Sequence, residues 1–362
     1  MEELATRVDP HDPLGTRPQR RRSVWWVAGL TVGLVVTMVL TVGIGPVAIA
    51  PDLVLAITGH HLFDIPATGD WARSDASIVW NVRIPRVLLG VAVGAGLAIC
   101  GAVLQAMVRN MLADPYILGI SSGASVGAAG AILFGVGAGI GLNALPVSAF
   151  LGALAAALLV FFIARAGGQI TSLRLLLSGV AVGYALSAVT SFIIFASDSA
   201  EGSRSVMFWL LGSLSLARWD ILLYIVLAVV VIALLLMILW GRRLDAISLG
   251  DETALTLGVS PTRTRVILLV FVSLTTGAIV AAAGAIGFVG LVIPHIARRL
   301  VGAVHTRLIP VAALIGAIFL VWADALARTV MQPRELPIGI ITAMVGAPFL
   351  LFLVRRMYAR RS

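Results

Sequence analysis

Residues 221–240 read ILLYIVLAVVVIALLLMILW, twenty positions without a charge, a proline or a glycine. At ~1.5 Å per residue a helix of this length is ~30 Å long, which matches the hydrocarbon thickness of a bilayer. The run is apolar around its whole circumference and so offers no face to water. Outward from it on both sides, nine further runs of similar character lie at 25–47, 86–107, 117–136, 145–164, 173–195, 266–283, 286–303, 308–327 and 337–354. Of the 362 residues 60% are apolar and only 12% charged, about half the charged share of a soluble domain. The expected fold class is therefore all-α, a polytopic membrane protein of ten transmembrane helices. One membrane domain is expected over 25–356, between a disordered cytosolic tail at 1–24 and a short cytosolic tail at 357–362.

The connections fix an orientation. With both termini in the cytoplasm, nineteen arginines fall on the inner side and seven on the outer, the latter being Arg73, Arg83, Arg86, Arg204, Arg218, Arg328 and Arg334. The positive-inside rule supports that arrangement for a multi-pass protein; the expected location is the cytoplasmic membrane. Arg20, Arg21 and Arg22 before the first apolar run imitate a secretory signal, but Pro51 after Ala48-Ile49-Ala50 disfavours cleavage there. The first run is read as a retained helix.

Composition also excludes functions. All 26 basic residues are arginine, so no phosphate-loop lysine exists and the chain cannot hydrolyse ATP as a P-loop enzyme. The arginines are scattered between apolar runs, which speaks against nucleic acid as a partner. Cys100 stands alone in an apolar run. His60 and His61 lie in an outer loop and His295 near an inner helix end, without the spacing of a metal site. Asp324 is the main intramembrane charge, with Arg328 four residues on and hence on the same helical face. A local ion pair there relieves the cost of burying a carboxylate; a proton relay would need more than one buried acid. The glycine pairs Gly90/Gly94 and Gly123/Gly127 suit close helix packing in lipid.

Several blocks together carry a family resemblance. They are Arg83-Ile84-Pro85-Arg86, Gly94-Ala95-Gly96-Leu97, Gly101 to Gln105, Arg109-Asn110 through Asp114-Pro115, and Leu118 to Ser125. Further on come Leu249 to Ala254 with Leu257-Gly258-Val259, Gly287 to His295, Asp324 with Arg328, Glu335 to Gly339, and Gly346 to Phe349. In order and spacing, residues 25–355 resemble the permeases of the iron-siderophore, haem and vitamin B12 importers. One departure is Met111, where those permeases usually have proline after Arg-Asn.

The resemblance implies the type II fold of an ATP-binding cassette importer permease, which carries a ferric siderophore, haem or cobalamin across the membrane. It implies a homodimer in membrane lipid, two ATPase subunits on the cytoplasmic face and a substrate-binding protein outside. No cofactor and no metal is expected on this chain; ATP and magnesium belong to the partner ATPase. The ATPase-coupling loop falls on Leu249, Gly250, Asp251, Glu252, Ala254, Leu257 and Gly258, read as two short helices with a glycine break. Arg83, Arg86 and Arg328 are the implied docking residues for the binding protein, the alternatives being pairing with Asp324 for Arg328 and snorkelling to lipid for the others. Ser178, Gly179, Gly183 and Ser187 in the fifth span are candidates for the translocation path, or for ordinary helix–helix hydrogen bonding. A proton-coupled secondary transporter is the alternative class.

Overall fold

The computed structural model describes residues 16–66, 69–166 and 168–359, and among these it contains helices, turns and loops but no strand. In chain order the helices are α1 (Thr16–Gly43), α2 (Pro51–Phe63), α3 (Arg73–Val108), α4 (Ile120–Phe134), α5 (Ala144–Arg165), α6 (Ser172–Phe195) and α7 (Ala200–Leu210). They continue as α8 (Ile221–Leu239), α9 (Gly241–Leu249), α10 (Asp251–Thr256), α11 (Pro261–Ala283), α12 (Val289–Val301), α13 (His305–Thr329) and α14 (Ile338–Ala359). Seven of them, α1, α3, α5, α6, α8, α11 and α13, are long and apolar enough to cross a membrane.

Of the other three expected spans, two are shorter and the third carries an internal proline. The run at 117–136 becomes α4 preceded by a 3-10 turn over Pro115–Leu118, with Gly119 between them at φ 72°. The run at 286–303 keeps helix only from Val289 to Val301, after Phe288 at φ 70°. The tenth carries Pro348 inside α14. Breaking a helix frees backbone groups that lipid cannot satisfy, so such breaks must be buried in protein. Here the two breaks serve each other: the Tyr116 hydroxyl accepts the Ile286 N–H at 2.9 Å. Gln105 of α3 donates to the carbonyls of Ala113, Gly290 and Leu291 at 3.2–3.4 Å.

The tails and outer loops are more helical than the sequence suggests. Residues 16–24 already belong to α1, while 1–15 lie outside the described residues. At the other end α14 runs to Ala359, and 360–362 lie outside the described residues. The outer segment 48–85 contains α2, and α3 starts there too, passing through a π-helical stretch at Ile78–Arg83. The outer segment 196–220 contains α7.

Buried α3 is the axis of the bundle. Ile99, Val103 and Met107 enter a core shared with α4, α5, α6 and α11. Leu89, Val93 and Leu97 enter a second core with α8, α12 and α13. Small residues set the crossings, as the glycine pairs suggest. A Cβ at Gly94 would collide with the Gly316 carbonyl of α13, and one at Gly101 with the Gly290 carbonyl of α12. Gly123 and Gly127 likewise meet the backbone of Gly152 and Ser148 on α5. In lipid, where apolar burial gives helices no reason to associate, such close backbone approach supplies the attraction.

Candidate functional site

The inner segment between α8 and α11 folds as two short helices, α9 and α10, separated by Gly250 at φ 123° and ψ 162°. That conformation is open to glycine and strained for other residues. After α10 the N–H of Val259 reaches the Ala254 carbonyl at 2.8 Å and that of Gly258 the Leu255 carbonyl at 3.0 Å. With Gly258 at φ 76° this is a Schellman cap, which closes the helix without help from the rest of the protein. Leu249, Leu255 and Leu257 are left exposed, and Leu257 shows 60% of its surface. Ala254 is buried beneath them, and Glu252 and Gly258 are exposed.

Both ends of the segment are anchored. On α9, Asp245 accepts the backbone N–H of His305 at 2.9 Å and touches its ring at 2.6 Å, tying α9 to the start of α13. On α10, Asp251 accepts two hydrogen bonds from Arg265, at 2.6 and 2.9 Å, and lies 3.7 Å from Arg109. The bonds from Arg265 hold the Asp251 carboxyl below its ordinary value, against the opposing effect of burial. A bridge with that sign is in full strength above the usual carboxylate range and is lost only as the pH falls below it.

Along α6, Ser178 and Gly179 are buried and Gly183 half-buried, packed against the 117–122 turn. Ser187 is exposed, with its hydroxyl 3.2 Å from that of Ser122. The outward face also carries Tyr184, Ser191 and Phe192, an unusual mixture for a surface that meets only acyl chains. Beyond α6 an outer cavity of about 690 Å³ lies among Leu145, Phe208, Ser213, Leu216, Gly284 and Glu335.

The three arginines implied by the resemblance for docking are anchored inside the bundle: Arg83, Arg86 and Arg328 are 5%, 7% and 4% exposed. Arg86 Nε donates to both Asp324 oxygens at 3.0 and 3.1 Å, while Nη1 and Nη2 reach Glu335 at 3.1 and 2.9 Å. Arg328 binds Asp324 from the other side at 3.0 Å. Its remaining nitrogens donate to the carbonyls of Thr41 and Ile44 at 3.2 and 3.0 Å. Arg83 donates to the carbonyls of Val42 and Gly43 at 2.7 and 3.0 Å, and also to Val47. The end of α1 leaves carbonyls without helical partners and carries the negative pole of the helix dipole. Two arginines meet both needs.

Glu335 and Arg265 were not singled out by the sequence reading. Their partners are 249 and 14 residues away. For Arg265 a signal existed: a charge at the start of an apolar run needs an acid, and Asp251 stands just upstream.

Residues 33–356 match the model of the FecCD transport family. The chain belongs to that family. Among its relatives, a cobalamin import system permease protein of Halobacterium salinarum is 45% identical over 84% of this chain and 79% of its own length. An Fe(3+)-citrate import system permease protein of Bacillus subtilis is 42% identical over 77% of this chain and 81% of its own. A hemin transport system permease protein of Yersinia pestis is 40% identical over 81% of this chain and 88% of its own. The fold matches a metal-chelate type ABC transporter solved in an inward-facing conformation, with TM-score 0.79 and 33% identity, covering 91% of this chain and 98% of that one. As a FecCD member the chain is a membrane permease subunit of an ABC importer, and its ATPase is a separate chain. ATPase and binding-protein partners follow from the family.

Proposed function

We propose that two copies of this FecCD permease form a twenty-span channel for a bulky metal chelate, with ferric siderophores first among the substrates and haem and cobalamin next. The observation that carries the reading is the inner segment. Three leucines are exposed on two short helices that are anchored at both ends, so the segment is a rigid apolar platform where a loop of this charge would otherwise be solvated. An ATPase docked on Leu249, Leu255 and Leu257 would move helices α11 and α13 with it.

The ten-span topology counts α4, α12 and α14 beside the seven long helices, with the shortness of the first two made up by buried, hydrogen-bonded turns. The excess of arginine on one side supports cytoplasmic termini in a bacterial cytoplasmic membrane. The mixed polar and aromatic face of α6 suits the path between two copies better than it suits lipid. Relatives are named for cobalamin, ferric citrate and hemin, each a metal held inside an organic ligand. Proton coupling is disfavoured, because Asp324 is locked between Arg86 and Arg328.

The test is uptake into proteoliposomes containing the permease with its ATPase and binding protein. A panel of radioactive ferric chelates, haemin and cobalamin should yield at least one compound that accumulates only with ATP inside the binding-competent assembly. Failure of every compound to accumulate with ATP would overturn the reading.

A further inference from the structure

Arg265 is a buried cation held by four residues from separate parts of the chain. It lies on the first turns of α11 and is 1% exposed. A guanidinium has five N–H donors, and here all five are engaged. Nε donates to the Met107 carbonyl at 3.4 Å, at the inner end of α3. Nη1 donates to the Ile170 carbonyl at 3.2 Å and to Asp251 at 2.9 Å. Nη2 donates to the Ser172 hydroxyl at 3.1 Å and to Asp251 at 2.6 Å. Ser172 in turn donates to Met107 at 3.1 Å. One side chain thus joins the first residue of α10, the last turn of α3, the first residue of α6 and the body of α11.

We propose that Arg265 is the positioning residue that transmits movement of the inner platform to α6. This rests on the reading of α9–α10 as the ATPase contact and of α6 as the path. The physical reason is rigidity. A buried charge must keep its partners, since a guanidinium stripped of them inside protein is strongly destabilised. Asp251 therefore cannot move away from Arg265, nor can Arg265 leave Ile170 and Ser172, without breaking several charge-assisted bonds at once. Displacement of α10 carries the start of α6 with it. A pairing meant only to hold α10 in place would need Asp251 alone; the two bonds to 170 and 172 are what reach the fifth span. Lysine has three donors on a tetrahedral head and cannot serve all these acceptors in one plane.

The experiment compares wild type, Arg265→Lys and Ser172→Ala in the assembled transporter. Ser172→Ala removes one of the two bonds toward α6, keeps the bond to the Ile170 carbonyl and leaves the ion pair, so it guards against a result that reflects only misfolding. ATPase co-purification should be retained in both variants. Uptake per ATP hydrolysed should fall about tenfold in Arg265→Lys, within the range typical of coupling between sites, and by a smaller factor in Ser172→Ala. A cysteine at position 187, in a Cys100→Ala background, should lose the nucleotide-dependent change in thiol labelling that it has with Arg265 present. Unchanged stoichiometry and labelling in both variants would overturn the inference, provided wild type transports. Absence of ATP-driven uptake by wild type would instead sink the transport reading on which it stands.

Discussion

Asp324 serves two arginines with one carboxylate, and Glu335 adds a second acid to a cluster of three guanidiniums. Neutralising Asp324 leaves Arg86 with only its outer partner and Arg328 with only carbonyls. Breaking a buried pair in this way costs about 3–5 kcal/mol. Asp324→Asn should therefore lower the thermal stability of the detergent-solubilised permease markedly, while Glu335→Gln, at a half-exposed position, should cost far less. Equal melting temperatures for Asp324→Asn and wild type would show that the cluster does not hold the outer ends together. Reversing Arg86 to Glu would set three carboxylates against one another, so that change reads out folding before it reads out any partner. The i,i+4 pair Asp324/Arg328 was legible from spacing alone, because a helix repeat fixes it. Arg86 and Glu335 were not, because nothing local in a sequence says which helices will be neighbours.

At the scale of elements, helices longer than a bilayer were easy to find and their irregularities were not. The run of apolar residues through 286–303 carries no proline until Pro294, yet the backbone is broken at Phe288, with Tyr116 and Gln105 taking up the N–H of Ile286 and the carbonyl of Leu291 on either side. The two short helices α9 and α10, proposed above as the ATPase contact, were legible because Gly250 and Gly258 mark the places where the chain must leave the helical region. Their function makes a prediction. Leu257→Asp puts a charge on an exposed position, so insertion and stability should be unaffected, while ATPase retention on a column should drop severely. Gly258→Trp has open space around it but a left-handed backbone, which costs about 1–2 kcal/mol and loosens the cap of α10. Full ATPase retention by both variants would count against the platform. For α6, the structure also decides where a probe can go. A side chain at Gly179 would collide with the Ile117 carbonyl, whereas Gly183 has room and Ser187 is exposed. Cysteines at 183 and 187 should react with a water-soluble thiol reagent at rates that change with nucleotide; a helix facing only acyl chains would leave both silent in every state.

For the whole molecule the question is where the driving force enters. A proton-driven carrier needs an acid or histidine that can lose its proton to each side in turn, and such a group must be free to titrate within the membrane. Asp324 is fixed by two arginines and is not among the residues lining the cavity, whose charged residues are Arg218, Asp220 and Glu335. The segment 241–265, by contrast, presents exposed leucines, and its two anchoring carboxylates bond α11 and α13, with Arg265 extending the link to α3 and α6. Mechanical work delivered at that segment has a route into the bundle through these bonds. The prediction is specific to proteoliposomes in which ATP is trapped inside with the ATPase. Uptake should continue at an unchanged rate when a protonophore collapses the proton gradient, because no step of the cycle moves a proton through this chain. Vanadate should stop it, since the energy comes from hydrolysis on the partner subunit. Uptake driven by an imposed proton gradient with no nucleotide present would reverse the assignment, and the ion pairs around Asp324 would then have to open during transport.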